Sequence, residues 1–124
     1  MPTIVHFEIP GDEVERARKF YGELFGWKIE KYQGPGPDYW VFMTTGGKTE
    51  AGIGGGMMQR QHPQQQITVY IDVPSLDDYL AKVQKLGGQV VVPKSPVPGM
   101  GYYAVCLDTE NNGFGLWEEN PKAL

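Results

Sequence analysis

The 124-residue chain has little cysteine and no long apolar run. Its single thiol, at Cys106, has no second cysteine with which to form an internal disulfide, and this favours a reducing compartment. No apolar stretch approaches the roughly 20 residues that span a bilayer, and nothing near Met1 resembles a signal peptide. We therefore expect a cytoplasmic globular protein with no membrane partner.

The chain also lacks an excess of basic residues. Its 11 Lys and Arg residues are scattered among 15 Asp and Glu residues, and the formal net charge is −4. A general nucleic-acid binder needs Lys and Arg clustered on one face, where they contact phosphates. We therefore expect no nucleic-acid partner, and we interpret the mild acidity as a feature that promotes solubility.

Glycine and proline, by contrast, are abundant, with 17 Gly and 10 Pro residues. They lie between stretches rich in Val, Ile and Tyr, a pattern that predicts many short strands joined by turns. Apolar residues make up 40% of the chain and aromatic residues 12%, which is enough to fill a core. The length is typical of a single domain, which we place over residues 1–124.

The first half of the sequence predicts a strand, a helix and three further strands. Thr3–Ile9 alternates apolar and polar residues, as a strand with one buried face does. A helix follows, with Asp12 as its N-cap and Gly26 at its end. The further strands are predicted at Trp27–Tyr32, Tyr39–Thr44 and Glu50–Met58.

The second half predicts the same plan after a polar, proline-broken connector at Gln59–Gln65. Gln66–Val73 alternates as a strand, Ser75 is the predicted N-cap of a second helix, and a glycine pair ends that helix. The last three strands are predicted at Gln89–Pro93, Tyr102–Leu107 and Phe114–Glu118.

The two halves are related by an offset of 62 residues. The apolar residues of the first strand, Val5, Phe7 and Ile9, fall on Ile67, Val69 and Ile71. The same offset carries the helix-ending Gly26 onto Gly88. We therefore predict an α+β fold built from two tandem βαβββ modules, with module one at 1–58, the connector at 59–65 and module two at 66–124.

Two stretches carry a resemblance to a known family. They are HFEIPGDEVERARKFYGELFGW, near the start, and GYYAVCLDTENNGFGLWEEN, at the end. Together with the tandem modules, they resemble the vicinal oxygen chelate superfamily of glyoxalases, bleomycin-resistance proteins and extradiol dioxygenases. The resemblance implies two modules that form an open, barrel-like cleft with the helices outside, and it implies a homodimer.

The resemblance also implies where a metal ion would bind. In metal-using members, one ligand comes from the first strand and one from the last strand of each module. These positions fall on His6, Gly54, Thr68 and Gly115. Glycine has no side-chain donor and Thr68 offers only a neutral hydroxyl, whereas a transition-metal site normally takes three or more protein donors. We therefore expect no metal ion and no other cofactor.

The glycines themselves suggest a binding surface. Replacing two carboxylates by Gly54 and Gly115 would leave volume where an ion would have lain, and bare backbone permits the close approach of a flat ligand. Gly52 and Gly56 share the face of Gly54 by strand alternation. The alternative is that these glycines mark bulges or bends that curl the sheet.

His6 and Glu8 are candidate catalytic residues. They lie two apart on one predicted strand, so both side chains point to the same face. Such a pair could act as a general base with an orienting or second acid group, and could abstract a proton without a metal ion. The alternative is an inert His6, hydrogen-bonded to Tyr70 or to a backbone carbonyl.

Aromatic residues are the other candidates for ligand contacts, because small-molecule pockets commonly have aromatic walls. Tyr70 falls on the module two equivalent of the His6 face, and Trp117 shares the face of Gly115. Trp40 and Phe42 share one face of the third strand, and Tyr39 lies on the other. The ligand-binding set that we predict is Trp40, Phe42, Gly54, Thr68, Tyr70, Gly115 and Trp117.

These features favour a small-molecule-binding protein of the glyoxalase and bleomycin-resistance type that lacks the family metal site. The alternative is a glyoxalase-related lyase or isomerase, which would depend on a metal ion or use His6 and Glu8 as an acid–base pair. A domain that regulates a partner protein is a third possibility. The sequence does not identify the ligand.

Overall fold

The computed structural model describes residues 1–45 and 52–124, so the predicted strand residues Glu50 and Ala51 lie outside the described part. Each module has the predicted order of one strand, one helix and three strands. The elements are β1 Thr3–Gly11, α1 Val14–Phe25, β2 Glu30–Lys31, β3 Trp40–Met43, β4 Gly54–Gln59, β5 Thr68–Asp72, α2 Leu76–Lys85, β6 Gln89–Val97, β7 Gly101–Leu107 and β8 Gly113–Glu119.

In module one, β1 pairs in parallel with β4, β4 pairs antiparallel with β3, and β3 pairs antiparallel with β2. Helix α1 covers one face of this sheet because its apolar stripe, which includes Val14, matches the apolar face of the strands. The buried core between helix and sheet consists of Ile9, Val14, Ile29, Phe42 and Met57.

Module two repeats this arrangement, with β5 parallel to β8, and with β8, β7 and β6 antiparallel. Helix α2 covers one face, and the buried core consists of Val73, Leu76, Ala104, Cys106 and Leu116. Burial raises the pKa of the Cys106 thiol, which keeps it protonated and unreactive. The α+β class and the two βαβββ modules are confirmed.

The two helices begin differently. The Ser75 hydroxyl accepts a hydrogen bond from the Asp78 backbone N–H at 3.3 Å, so the predicted cap of α2 is confirmed. The prediction of Asp12 as the cap of α1 is wrong. Glu13 occupies the N-cap position without a side-chain hydrogen bond, because the Asp12 carboxylate pairs with Arg60 Nε at 2.8 Å.

Strands β2 and β6 differ most in length from the prediction. β2 is shorter because the Ile29 carbonyl accepts hydrogen bonds from Arg18 Nη2 at 2.6 Å and Nε at 3.2 Å, instead of joining a ladder. β6 is longer and runs past Pro93 to Val97. Proline is tolerated there because, among the described strands, β6 pairs with β7 alone and does so through an irregular register.

The described residues divide into two compact units, His6–Ile67 and Met1–Val5 with Thr68–Leu124. The boundary after Ile67 lies close to the predicted end of the connector. Within residues 1–45 and 52–124, neither helix has the length and apolar character needed to cross a bilayer.

Candidate functional site

The sheet of module one presents His6 and Glu8 on the face opposite α1. Phe7 and Ile9 point into the core, so strand alternation directs the side chains at positions 6 and 8 to the other side. In the parallel ladder, His6 pairs with Gly54 and Glu8 pairs with Gly56. We call this surface the His6 face.

A chain of hydrogen bonds joins three side chains on the His6 face. His6 Nε2 lies 2.8 Å from the hydroxyl oxygen of Tyr39. The Tyr39 hydroxyl donates to Glu8 Oε2 at 2.9 Å. The rings of His6 and Tyr39 are stacked, with centroids 6.4 Å apart. The predicted His6–Glu8 pair is therefore bridged by a tyrosine that joins the two side chains into one network.

The direction of these bonds determines the state of the imidazole. A carboxylate only accepts, so the single Tyr39 hydroxyl proton is directed to Glu8, and the tyrosine oxygen accepts from His6 Nε2–H. Burial lowers the pKa of His6, although the nearby Glu8 carboxylate opposes this shift. The lowered pKa favours the neutral imidazole at neutral pH, and the hydrogen-bond pattern is that of the tautomer with its proton on Nε2.

The glycine at position 56 leaves room for Tyr39. A Cβ atom built on Gly56 would overlap the Tyr39 hydroxyl. Gly54 lies beside the Met43 sulfur, which would be 3.1 Å from an added Cβ. Side chains of this chain therefore lie against Gly54 and Gly56. Gly52 lies beside Thr45 in the same manner.

Module two presents an aromatic surface on the face opposite α2, which we call the Tyr70 face. The Tyr70 ring is buried and lies against Gly115, its partner in the ladder, where an added Cβ would overlap the ring. The Trp117 ring lies over Gly101, 2.6 Å from the position of an added Cβ. Trp117 also pairs with Tyr103 in the antiparallel ladder.

Strand register refines the equivalence between the modules. Gly115 pairs with Tyr70, which corresponds to Glu8 by the offset of 62, whereas Glu8 pairs with Gly56. By that offset the ladders align Gly115 with Gly56, whereas the last-strand ligand position that the resemblance implies aligns it with Gly54. Thr68, the counterpart of His6, begins β5 on the Tyr70 face and is half-buried.

Trp40 and Phe42 lie on the opposite side of the module one sheet from His6. Phe42 is buried in the core, and its ring contacts Phe7 and Trp27. Trp40 packs against the same cluster. The structure thus places these two predicted ligand contacts beneath α1 and brings Tyr39, from the other face of that segment, to His6.

Tyr39 is the member of the His6–Glu8 network that sequence reasoning missed. Alternation places it opposite Trp40, and this was the available signal. The choice between the two faces depends on the pairing of β3 with β4, which aligns Trp40 with Met57 and so directs both into the core.

The donors at the family's ligand positions do not fit a metal ion. Gly54 and Gly115 carry no side-chain donor, and Thr68 supplies a neutral hydroxyl. Across residues 1–45 and 52–124, no three His, Cys, Asp or Glu side chains come together in a group that could hold a metal ion. The chemistry available at the His6 face is therefore that of the imidazole, the phenol and the carboxylate.

Comparisons with known proteins identify a family model and relatives that this chain resembles. The family model described as bleomycin resistance protein-like N-terminal matches residues 3–46. The anthracycline biosynthesis protein DnrV of Streptomyces peucetius is 26% identical over 91% of this chain and 46% of its own length. A glyoxylase-named protein of Mycobacterium tuberculosis, CFP32, is 31% identical over 84% of this chain and 41% of its own.

Solved structures share the fold at low sequence identity. The methylmalonyl-CoA epimerase of Mycobacterium tuberculosis has a TM-score of 0.69 at 12% identity, over 95% of this chain and 88% of that one. A Bacillus halodurans protein has a TM-score of 0.67 at 15% identity, over 99% and 98%. The chain spans less than half the length of the curated relatives it matches.

Proposed function

This chain belongs to the vicinal oxygen chelate superfamily, and from that membership we propose that it is a small-molecule-binding domain that works without the family's metal ion. The observation that carries the proposal is chemical. At the four positions where metal-using members place ligands, the chain has one imidazole, one hydroxyl and two glycines. A single strong donor does not retain a transition-metal ion.

Two surfaces support the binding of an organic molecule. The His6 face offers a polar network, and the Tyr70 face offers the half-buried ring of Trp117 together with the buried ring of Tyr70. Each face by itself offers one kind of group that small-molecule sites use, namely oriented polar groups on the first and aromatic walls on the second. The names of the relatives, which refer to anthracycline biosynthesis and to a glyoxylase, are compatible with a small organic ligand.

The proposal is tested by native mass spectrometry and thermal unfolding of the purified chain. Binding to the folded state alone raises stability with the logarithm of the free ligand concentration. We expect a co-purifying small molecule, or a compound from an aromatic and acyl-compound panel, to raise Tm in this manner without being consumed. Consumption of the stabilising compound would contradict a purely binding role.

An acid–base catalyst is the second candidate, and the His6–Tyr39–Glu8 network favours it. A neutral imidazole with an oriented lone pair is a competent general base. His6→Ala separates the two candidates. A binding domain keeps most of its affinity in this variant, whereas a base catalyst loses turnover by about 10²–10⁴-fold while retaining ligand. Exchange of ligand protons with deuterated solvent measures that turnover directly.

The proposal includes a homodimer in the cytoplasm as the working state of the protein. Its support is the resemblance of the chain to small two-module members of the superfamily. Light scattering after size exclusion measures the mass in solution, and a monomer at micromolar concentration would contradict this part of the proposal.

A further inference from the structure

The Tyr39 hydroxyl occupies a position that fixes the chemistry of two other groups. Its proton is directed to Glu8 Oε2 at 2.9 Å, and its oxygen faces His6 Nε2 at 2.8 Å. A hydroxyl oxygen that donates its only proton to a carboxylate accepts from its other neighbour. The bond to Glu8 therefore requires His6 to carry its proton on Nε2.

The residue at position 56 determines whether the Tyr39 hydroxyl can lie between His6 and Glu8. Gly56 pairs with Glu8 in the ladder, and a Cβ atom at position 56 would overlap the Tyr39 hydroxyl and the ring carbon that bears it. Any larger residue would push the hydroxyl away from both of its partners. The glycine thus has a specific role beyond curvature of the sheet.

We propose that Tyr39 is the positioning residue of the His6 face, that it reaches its place because residue 56 is glycine, and that it holds His6 as the Nε2–H tautomer so that the site recognises hydroxyl, phenol or enol donors and not anions. This inference rests on the proposed binding function, because it names the ligand class of the same site.

The ligand class follows from the charges and acceptors of the network. The imidazole is neutral, and the Glu8 carboxylate supplies the formal charge of the trio. A carboxylate accepts up to about four hydrogen bonds, so it can accept from a ligand as well as from the Tyr39 hydroxyl. A neutral donor therefore gains a charge-assisted hydrogen bond at this surface, whereas an anion is repelled by Glu8.

The tautomer is measured by ¹⁵N–¹H correlation spectra of the histidine side chains in the full chain at neutral pH. The chain has two histidines, and the exposed His62 in the connector provides an internal reference. We expect His6 to show a protonated Nε2 and an unprotonated Nδ1. A wild-type spectrum with the proton on Nδ1, or with fast averaging of both forms, would overturn the proposal.

Two variants disturb the positioning by different routes. Tyr39→Phe removes the hydroxyl and keeps the ring, and Gly56→Ala displaces the hydroxyl with a methyl group. Both should convert His6 to a mixture of tautomers. Gly113→Ala is the matched control, because an added Cβ there meets nothing within 4 Å. A retained Nε2–H tautomer in folded Tyr39→Phe would show that Tyr39 has only a structural role.

Phenol and benzoate serve as probes of the ligand class, since they share a ring and differ in charge and donor. We expect phenol to shift the His6 resonances with an apparent affinity at least about tenfold higher than that of benzoate, and Tyr39→Phe to reduce this preference. Equal or stronger binding of benzoate would overturn the ligand class while leaving the binding function intact. Failure of both probes to shift His6 in a protein with the expected tautomer would contradict the binding function at this face.

Discussion

The two modules pack their cores in the same way but differ on the sheet face opposite the helix. In module one this face carries the polar network of His6, Tyr39 and Glu8. In module two the offset of 62 replaces His6 by Thr68 and Glu8 by Tyr70, and the surface becomes aromatic. The packing of the helix on the sheet is repeated in the two modules. The side chains on the opposite sheet face differ, and they carry the candidate chemistry.

The modules nevertheless share one packing feature on these faces. A glycine on the last strand of each module accommodates a tyrosine, with Tyr39 over Gly56 in module one and Tyr70 over Gly115 in module two. The tyrosines come from different elements, since Tyr39 precedes β3 and Tyr70 lies in β5. The hydroxyl end of Tyr39 meets its glycine, whereas the body of the Tyr70 ring meets the other.

Truncating a core side chain should change stability more than any other variant considered below, and each module has its own core. Val14 and Leu76 occupy equivalent first-turn positions on α1 and α2, and Leu76 is fully buried. Leu76→Ala should lower the free energy of unfolding by about 2–5 kcal/mol, because it removes buried methyl groups and leaves a cavity. Val14→Ala deletes less volume and should cost less. Urea denaturation measures both, and equal costs would contradict the packing described for the two modules.

The next effect separates the two glycines. Gly115→Ala should destabilise the chain by about 1–3 kcal/mol, because the added methyl overlaps the Tyr70 ring near its attachment to the backbone. Gly56→Ala should cost less, since the overlap involves the distal end of the Tyr39 side chain. Gly113→Ala provides the control. Thermal unfolding of the three variants gives the order, and a Gly115→Ala variant as stable as Gly113→Ala would exclude the contact.

A smaller effect distinguishes the helix starts. Ser75→Ala should cost about 0.5–2 kcal/mol, because it removes the hydroxyl that accepts from Asp78 N–H. Glu13→Ala, at the equivalent N-cap of α1, loses no such bond and should stay within about 0.5 kcal/mol of the wild type. If denaturant midpoints of the two variants moved equally, the difference between the caps would be refuted.

The weakest effect that we expect is a pH dependence of the free energy of unfolding. It arises in module one from His6, whereas module two has the non-ionisable Thr68 at the equivalent position. The folded state lowers the pKa of His6 below its ordinary value of 6.5. Between the two pKa values the unfolded chain therefore binds more protons than the folded chain. His6 therefore contributes stability that is complete above about pH 6.5 and is lost as the pH falls towards the folded-state pKa. His6→Gln should flatten this part of the unfolding free energy between about pH 7.5 and about pH 5.5, and an unchanged slope would contradict the neutral, buried imidazole.

The fold was predictable because local patterns determine most of it. Strands form at Thr3–Ile9 and within Gln66–Val73, both helices form where the helical spacing predicts them, and the left-handed Gly26 ends α1. Val5 and Ile67, which alternation places on the apolar faces, are exposed. The Ser75 cap was also predictable, since its partner lies three residues away. Asp12 was not, because the residue that binds its carboxylate, Arg60, is distant in sequence.

The candidate site was only partly predictable for the same reason. His6 and Glu8 are neighbours on one strand, so their shared face follows from alternation alone. The bridge between them comes from Tyr39, which is distant in sequence, and depends on strand register and on the space above Gly56. Trp40 and Phe42 have the composition of a binding wall, and register placed them in the core.

The most direct test of the central claim is elemental analysis of the chain purified without chelators or metal-affinity resin. We expect divalent transition metals far below one equivalent per chain, both as purified and after incubation with Mn²⁺, Co²⁺, Ni²⁺ or Zn²⁺ followed by desalting. The contrary result would be one equivalent of metal retained by the wild type and a lower metal content in His6→Ala. It would show that the imidazole is a metal ligand and not the partner of Tyr39 in a metal-free binding site.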